Sequence, residues 1–503
     1  MMLLLAACAA LEPETLWSAV GNGGVYACVC PGDLDADGVP DAVAGLYYSD
    51  EEPTLQALSG ADGSVIWTSD ECQGVYQDEG LAVAGDLDGD GIHDVLVCTP
   101  GGYDPPGRCL IAVSGASGDV IWQWSCYLYG PNHGWGYGAC ALDDLTSDGR
   151  PEAVGSFGGN SNDHDGTVVC IDGALGDTLW TASGFLDAVE DVCPFPDVDG
   201  DGVQEVVAGV GGNSLALQQV WLLSGAAGSP LWSADVDGDV MCVGTSDRDD
   251  TFPAILASTF DGKAVCLDQS GNPLWSVSPG GMLLDIEGGP DLDGGGTGEV
   301  ALAADNAGVR CLDGEDGSTR WTYPSGSNTW SATWADSIRM GDLYAACIAA
   351  GSVNGYRVAL VDGVDGAELW QQTYGERVYG VSVIPPLGGS QSQTVMACLQ
   401  DQTSVPLHLA ALLTPGGLSA PDGPGSGSLS IISNPCRGTL GFILPDAAWS
   451  CRLVDMSGRR VRTAASPGGM CAVDLDGLPS GVYFFEAVSA GAEYSEKVVI
   501  LGD

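Results

Sequence analysis

Four short segments of the chain carry acidic residues at one fixed spacing, and these residues offer the clearest chemistry in the sequence. In each segment, oxygen-bearing side chains stand at positions 1, 3, 5 and 9 and a glycine stands at position 6. The four sets are Asp33, Asp35, Asp37 and Asp41; Asp86, Asp88, Asp90 and Asp94; Asp144, Thr146, Asp148 and Glu152; and Asp197, Asp199, Asp201 and Glu205. Ca²⁺ binds about six to eight oxygens, and alternate residues of a tight loop can direct their carboxylates at one point. The spacing therefore predicts four Ca²⁺ loops.

A fifth, weaker copy would raise the count to five Ca²⁺ sites. It has Asp291, Asp293 and Glu299, but Gly295 replaces the acid at position 5. Between Asp247 and Ala254 the spacing is lost, so no metal is expected there. An alternative stays open for all of these loops, because an Asp-rich turn can also bond its own backbone without a metal.

The elements that must position these loops follow from a repeat marked by tryptophan. The residues that mark it recur at intervals of 43 to 58 residues and are Trp17, Trp67, Trp122, Trp180, Trp232, Trp275, Trp321 and Trp370. Before most of them, alternating apolar residues and a Gly turn indicate a β-hairpin, and two further strands precede the hairpin. Four-stranded units repeated in this way are typical of a β-propeller, whose closure removes exposed sheet edges.

The two ends of the repeat region are expected to complete one blade together. Trp17 lies in a last strand with no strands before it, whereas residues 378–413 supply three strands with no last strand after them. We therefore predict an all-β, eight-bladed propeller over residues 11–413. Seven blades remain the alternative, because the final set of strands is degenerate.

Two family resemblances rest on these residues. Fourth strands such as Val65-Ile66-Trp67, which follow a Gly turn, resemble the pyrroloquinoline-quinone-like (PQQ-like) propeller repeat. The acidic loops resemble the Ca²⁺ loops of integrin-like FG-GAP propeller repeats. Both resemblances imply a fold rather than an activity.

The two ends of the chain indicate export. Residues 1–10 look like the remnant of a secretory leader, and Leu5 to Cys8 resembles a lipobox, which would make Cys8 a lipid-anchored residue. Residues 414–429 form a Pro/Gly/Ser-rich linker. The succession from Asn434-Pro435 through Leu478-Pro479-Ser480-Gly481 to the end closely resembles the C-terminal sorting domain of the type IX secretion system, an immunoglobulin-like β-sandwich over residues 430–503. That resemblance implies secretion machinery as a partner and a place at the cell surface.

Charge and hydropathy exclude two classes of partner. With 15 basic and 68 acidic side chains the formal charge is −53, which argues against binding to nucleic acid or to anionic membranes. No apolar run is long enough for a transmembrane helix.

Eighteen cysteines in an exported chain raise the question of disulfides. Cys170, Cys266 and Cys311 occupy the third-strand position filled by Ala57 or Ala112 in other repeats, so we interpret them as small buried residues. Cys98 and Cys109 lie on two strands of one hairpin, where partners face each other, so they are a candidate pair for a disulfide; Cys72 and Cys126 are a second candidate pair. No cysteine shows zinc-type spacing, so the sequence predicts no structural zinc site.

Aromatic, His and Asn residues in the longer connecting segments are the candidate ligand contacts. These residues are His133, Trp135, Tyr137, His164, Trp330 and Trp334, and they suit stacking on a sugar or contact with a protein ligand. The alternative is that the aromatic rings only pack on the blades.

No catalytic residue is predicted. The sequence lacks a nucleophile elbow and a phosphate loop, and it has neither the adjacent cysteine pair nor the cations that a quinoprotein dehydrogenase would need, so no pyrroloquinoline quinone (PQQ) is expected. The favoured reading is a non-enzymatic, Ca²⁺-stabilised surface propeller that binds an extracellular glycan or protein. The alternative is a polysaccharide lyase or hydrolase that uses His133 or His164.

Overall fold

The structure is a computed structural model that describes most of the chain. The described residues are 14–21, 24–46, 54–71, 74–75, 77–100, 109–126, 134–158, 166–212, 217–248, 252–305, 307–325, 328–340, 343–384, 393–400, 407–413, 430–431, 439–444, 449–455, 460–466, 469–474, 481–489 and 492–500. Cys8, Cys72, His133, His164 and the linker 414–429 therefore lie outside the described residues.

The described residues are almost all in strands and tight turns. The strands of the repeat region are β1 Glu14–Gly21, β2 Val25–Gly32, β3 Asp41–Leu46, β4 Leu55–Leu58, β5 Val65–Ser69, β6 Leu81–Gly85, β7 Asp94–Thr99, β8 Cys109–Val113, β9 Val120–Ser125, β10 Trp135–Leu142, β11 Glu152–Gly158, β12 Thr167–Ile171, β13 Thr178–Ser183, β14 Val189–Phe195, β15 Glu205–Val210, β16 Gln219–Leu223, β17 Pro230–Asp235, β18 Val240–Ser246, β19 Ala254–Thr259, β20 Ala264–Leu267, β21 Pro273–Val277, β22 Leu283–Gly288, β23 Val300–Ala304, β24 Gly308–Leu312, β25 Thr319–Tyr323, β26 Thr329–Met340, β27 Leu343–Ser352, β28 Arg357–Asp362, β29 Glu368–Thr373, β30 Arg377–Ile384, β31 Thr394–Gln400 and β32 Leu407–Leu413. A short 3₁₀ helix, Asp78–Gly80, precedes β6.

The repeat region is a β-propeller. Seven antiparallel sheets each use four strands in succession, and we name them blade 1 (β2–β5), blade 2 (β6–β9), blade 3 (β10–β13), blade 4 (β14–β17), blade 5 (β18–β21), blade 6 (β22–β25) and blade 7 (β26–β29). One further four-stranded sheet among the described residues has the order β1-β32-β31-β30, and we call it the closing sheet. Its pairing of Ala19 with Leu409 confirms that the two ends of the repeat region build one sheet together.

The first strand of each sheet lines the axis of the ring. The first strands of successive blades contact one another, and β30 of the closing sheet contacts β26 on one side and β2 on the other. Hydrophobic clusters fill the spaces between neighbouring sheets; in one of them Val43 and Ala57 of blade 1 pack with Val95 and Ile111 of blade 2. Inner strands such as β7 are buried at every position, because sheets cover both of their faces.

The repeated tryptophans connect each sheet to the next. In each case the indole Nε1 donates to a carbonyl in the turn between the third and fourth strands of the next blade. The seven bonds run from Trp17 to Gly60 (2.9 Å), Trp67 to Gly115 (2.7 Å), Trp122 to Gly173 (2.6 Å), Trp180 to Gly225 (2.6 Å), Trp232 to Gln269 (2.9 Å), Trp275 to Gly314 (2.9 Å) and Trp321 to Gly363 (2.9 Å). The indole ring of the tryptophan also packs on a glycine of the same turn. Gly228, for example, has φ +65°, and a Cβ there would lie 2.4 Å from Trp180 Cε3.

The C-terminal residues form a separate unit, Ser419–Asp503. Its strands are β33 Ser430–Ile431, β34 Thr439–Leu444, β35 Trp449–Asp455, β36 Arg460–Ser466, β37 Gly469–Asp474, β38 Gly481–Ser489 and β39 Ala492–Ile500. They make one sheet of order β33-β34-β37 and one of order β36-β35-β38-β39. Among the described residues, no helix has the length and apolar character that crossing a membrane requires.

The predicted disulfide between Cys98 and Cys109 is wrong. Neither thiol takes part in a disulfide bond. Cys98 pairs with Leu110 and Thr99 pairs with Cys109, so the two cysteines are offset by one residue and point to opposite faces of the sheet.

We expect the inter-blade hydrogen bond to contribute measurably to stability. Replacing Trp180 with Phe leaves the buried Gly225 carbonyl without its donor, which should lower the free energy of unfolding by about 1–3 kcal/mol, measured by urea unfolding. Trp221→Phe is the matched control, because Trp221 Nε1 has no hydrogen-bond partner in the described part of the chain. An equal decrease in the free energy of unfolding in the two variants would contradict the stabilising role given to the Trp180–Gly225 hydrogen bond.

Candidate metal loops and central channel

The five acidic loops share one backbone conformation. Each follows the first strand of blades 1, 2, 3, 4 or 6, and in each the residues at positions 4 and 6 have left-handed φ angles. Position 4 is Ala36 (φ 63°), Gly89 (85°), Ser147 (63°), Gly200 (82°) and Gly294 (80°), and position 6 is Gly38 (88°), Gly91 (90°), Gly149 (89°), Gly202 (92°) and Gly296 (89°). Loss of the fifth-position acid at Gly295 has therefore not changed the turn.

Acidic side chains converge within four of the five loops. In the first loop, Asp33 Oδ1 accepts from the Asp37 N–H at 3.1 Å and Asp33 Oδ2 accepts from the Gly38 N–H at 2.9 Å. In four loops, three acidic side chains place ligand atoms within 4.8 Å of one another and could hold a metal ion. These groups are Asp33, Asp35 and Asp37; Asp86, Asp88 and Asp90; Asp197, Asp199 and Glu205; and Asp291, Asp293 and Glu299. In the third loop, Thr146 supplies a hydroxyl where the other loops have a carboxylate.

The ninth-position acid ties its loop to the turn that receives the tryptophan. Asp41, which is fully buried, accepts from the Leu34 N–H at 2.6 Å and from the Gly60 N–H at 2.8 Å. Asp94, Glu152 and Glu205 likewise accept from a loop N–H and from the turn glycines 115, 173 and 225. Burial raises the pKa of Asp94 to about 6. Each carboxylate oxygen keeps a further lone pair, so these bonds leave metal binding open.

The fifth loop contains a cation of the chain itself. Arg320 Nη1 lies 2.5 Å from Asp293 Oδ2 and 2.5 Å from Glu299 Oε1. Glu299 thus pairs with a guanidinium, whereas the equivalent acids of blades 1 to 4 bond the turn glycine. The sequence-based reasoning missed Arg320, because it stands 21 residues after Glu299.

A cavity lies among the first strands, inside the ring. Its volume is about 360 Å³, and its lining includes five carboxylates and three thiols: Asp78, Glu79, Asp191, Asp285, Glu287, Cys140, Cys193 and Cys242. In blades 4, 5 and 6 the pairing between the first and second strands shifts by one residue. The shift comes immediately before Asp191 in β14, Cys242 in β18 and Asp285 in β22. These three residues therefore occupy the same place in successive blades.

The channel carboxylates also join neighbouring blades. Asp191 Oδ2 accepts from the Val243 N–H at 2.9 Å, and Asp285 Oδ2 accepts from the Ala332 N–H at 2.9 Å. Burial raises the pKa of Asp191 to about 7, although these N–H bonds act in the opposite direction.

We call the end of the channel at which the first strands begin the mouth. Aromatic side chains line one part of the mouth and acidic side chains line another. Three residues at ladder shifts in β2, β26 and β30 bring their rings together: Tyr26 stacks on Tyr379 at 4.4 Å, and Trp330 meets Tyr379 edge-on at 4.9 Å. The equivalent residue of β14 is Glu190. Burial, and then the nearby carboxylates of Asp187 and Asp239, raise the pKa of Glu190 well above its usual range.

The described residues among the predicted ligand contacts differ in how deeply they are buried. Tyr137 and Trp334 are buried, at 2% and 6% exposure, so their rings pack in the blades. Trp135 and Trp330 are half-buried at the beginnings of β10 and β26. Sequence reasoning missed Tyr26 and Tyr379, although both directly follow a valine at the beginning of a first strand.

Two family models match parts of the chain. Residues 219–384 match the model described as outer membrane protein assembly factor BamB, a PQQ-like repeat family, and residues 430–501 match the secretion system C-terminal sorting domain. A search of curated protein sequences found no match.

Solved structures with the same fold are distant in sequence. Quinohemoprotein alcohol dehydrogenase from Comamonas testosteroni is 13% identical with a TM-score of 0.56, over 85% of this chain and 80% of that one. Sqt1 from Saccharomyces cerevisiae is 12% identical with a TM-score of 0.51, over 79% and 99%. The computationally designed protein Ika8 is 13% identical with a TM-score of 0.50, over 79% and 99%. These similarities describe the fold alone.

The channel does not fit PQQ, the group suggested by the repeat family. PQQ carries three carboxylates and needs cations around it. The described residues that line the cavity include five carboxylates and neither Lys nor Arg. The lining would therefore repel PQQ.

We expect Glu190 to make stability depend on pH. A raised pKa in the folded state means that the wild type loses stability as the pH rises through that pKa, whereas Glu190→Gln does not. The variant should match the wild type near pH 4 and unfold at a higher temperature by pH 8, as measured by thermal unfolding across pH. Asp177→Asn, which removes an exposed acid from a turn of blade 3, is the matched control for the loss of one carboxylate. A Glu190→Gln curve parallel to that of the wild type would contradict the expectation.

Proposed function

We propose that this chain, a PQQ-like β-propeller with a C-terminal sorting domain, is displayed at the cell surface as a Ca²⁺-stabilised binding protein. The sorting domain indicates secretion or attachment at the outer-membrane surface. Residues 1–10 would be the leader remnant, residues 11–413 the propeller and residues 414–429 the linker. We count the closing sheet as the eighth blade, because β30 contacts the first strands of blades 7 and 1.

Four loops are proposed to bind Ca²⁺. The support is that blades 1 to 4 combine carboxylates at the loop tip with a ninth-position acid that reaches the inter-blade turn. Each ion would offset two of the negative charges of a chain whose formal charge is −53. For the fifth loop we propose no ion, because the guanidinium of Arg320 already lies between Asp293 and Glu299.

The binding site is proposed to lie at the mouth. The observation that carries this proposal is the ring cluster of Tyr26, Trp330 and Tyr379, which three sheets contribute at one end of the channel. Trp330 is half-buried, so its ring can stack on a sugar or on an apolar side chain, whereas Tyr26 and Tyr379 are buried, at 9% exposure each, and hold that ring in place. The buried acids Asp187 and Glu190 on another part of the mouth favour a neutral or cationic ligand over a polyanion.

The same acids count against the lyase alternative. A lyase of acidic glycans needs a base, and cations that stabilise the uronate. Asp187, Glu190 and Asp239 supply no such cation, and Arg377, which lies beside the ring cluster, already donates to the Tyr379 hydroxyl at 3.1 Å. We therefore favour binding without turnover.

Calcium should bind with a countable stoichiometry and raise the unfolding temperature. Calorimetry on the EDTA-treated chain should find about four sites, one for each complete loop. Asp199→Asn should remove one site, because it deletes a ligand from the fourth loop. Asp316→Asn changes an exposed turn acid outside the loops and should leave the count unchanged.

Arg320→Gln provides a reciprocal check on the fifth loop. With the guanidinium removed, Asp291, Asp293 and Glu299 should accept an ion and the count should rise by one. No Ca²⁺ uptake by the wild type would contradict the proposed loops, and an unchanged count in Arg320→Gln would contradict the role given to Arg320.

Ligand retention should depend on the ring cluster. Trp330→Ala should reduce retention of the chain on immobilised neutral glycans or basic peptides by about tenfold or more, since stacked aromatic contacts dominate such sites. Trp370→Ala removes a half-buried tryptophan from the outer strand β29 and should retain binding. Equal retention of Trp330→Ala and the wild type would exclude the mouth, and sugar release by the wild type would overturn the non-enzymatic assignment.

A further inference from the structure

Four consecutive blades each place one candidate metal ligand in the channel cavity. Glu79 precedes β6 of blade 2, Cys140 lies in β10 of blade 3, Asp191 in β14 of blade 4 and Cys242 in β18 of blade 5. Ligand atoms of Glu79, Asp191 and Cys242 lie within 4.8 Å of one another. Unlike the exposed acids of the loops, Asp191 and Cys242 are buried, at 3% and 4% exposure.

The thiol of Cys140 points independently to a ligand. It is 7% exposed, lines the same cavity and has no hydrogen-bond partner among the described residues. A buried thiol left unpaired in a cavity with five carboxylates and two other thiols is placed as a metal ligand would be.

Two members of the set are already oriented by their neighbours. The Asp191 carboxylate accepts from the Val192 N–H at 2.7 Å and from the Val243 N–H at 2.9 Å, which fixes its plane. The Cys242 Sγ lies 3.8 Å from Asp285 Oδ1, so Asp285 can accept the thiol proton or stand beside a bound ion. Such outer contacts hold ligands in place before a metal arrives.

We propose that the channel binds one thiophilic divalent cation of the Zn²⁺ class through Glu79, Cys140, Asp191 and Cys242. Thiolates and carboxylates together form the mixed sulfur and oxygen set that Zn²⁺ accepts in tetrahedral geometry, whereas Ca²⁺ takes oxygen ligands. The cation neutralises carboxylates that no Lys or Arg faces among the described lining residues. A thiol binds such a cation as the thiolate, so binding releases a proton.

Cobalt replaces zinc as a spectroscopic probe of this site. The full chain, prepared without a histidine tag, reduced, stripped with EDTA and then saturated with Ca²⁺ to fill the loops, is titrated with Co²⁺. We expect one equivalent to give a sulfur-to-cobalt charge-transfer band with tetrahedral d–d bands, and Zn²⁺ to abolish both. A titration in which Co²⁺ gives no charge-transfer band overturns the proposal.

Two variants and one matched control assign the ligands. Cys242→Ser should weaken the charge-transfer band, and Glu79→Gln should lower Co²⁺ affinity by about 10-fold to 100-fold while the band remains at saturation. Cys266→Ser alters an equally buried thiol in β20, away from the cavity lining, and should change neither. Thermal unfolding of each variant checks that it is folded. If Cys242→Ser fails to fold, the Co²⁺ affinity of Glu79→Gln tests the proposed ligand set. Unchanged Co²⁺ affinity in a folded Glu79→Gln variant overturns the assignment.

Discussion

The hydrogen bond from an outer-strand tryptophan to the next blade is the interaction on which the ring depends. Each sheet buries its faces only against its neighbours, so it needs a contact that fixes its position relative to the next sheet. The indole supplies that contact with one N–H and one ring face, both directed at a single turn. In blades 1 to 4 the turn glycine uses its carbonyl for the tryptophan and its N–H for the ninth-position acid of its own loop. The acidic loop, the turn and the preceding blade are therefore one connected network.

The later blades show what happens when part of this network is lost. In blade 6 the Glu299 oxygen pairs with Arg320, and in blade 7 the Gly363 N–H donates to the Ala346 carbonyl at 2.9 Å. The tryptophan bond persists in both blades. The tryptophan bond is thus kept at these junctions, whereas the acid is replaced by another charged pair or by a backbone carbonyl.

The sequence predicted features that repeat locally and missed those assembled from several repeats. The spacing of tryptophan and of the loop acids was enough to predict the sheets, their loops and the shared closing sheet. It could not predict that Glu79, Asp191 and Cys242 converge, because they stand in different repeats and meet only when the ring closes. The disulfide prediction failed on strand register: a hairpin brings Cys98 and Cys109 close, but a one-residue offset sends their side chains to opposite faces.

The acidic loops and the mouth lie at opposite ends of the first strands. Each loop follows the end of a first strand, whereas Tyr26, Glu190, Trp330 and Tyr379 stand near its beginning. A strand of seven residues spans about 23 Å, so an ion in a loop is too distant to touch a ligand at the mouth. Any influence of Ca²⁺ on binding must then pass through the position of the blades. A cation in the channel would lie much closer to the mouth than an ion in a loop. Asp191 directly follows Glu190 in the chain, and Cys242 lies in the first strand of the next blade. Since Asp191 also accepts from the Val243 N–H, a charge placed there acts on the contact between two blades directly beneath the mouth.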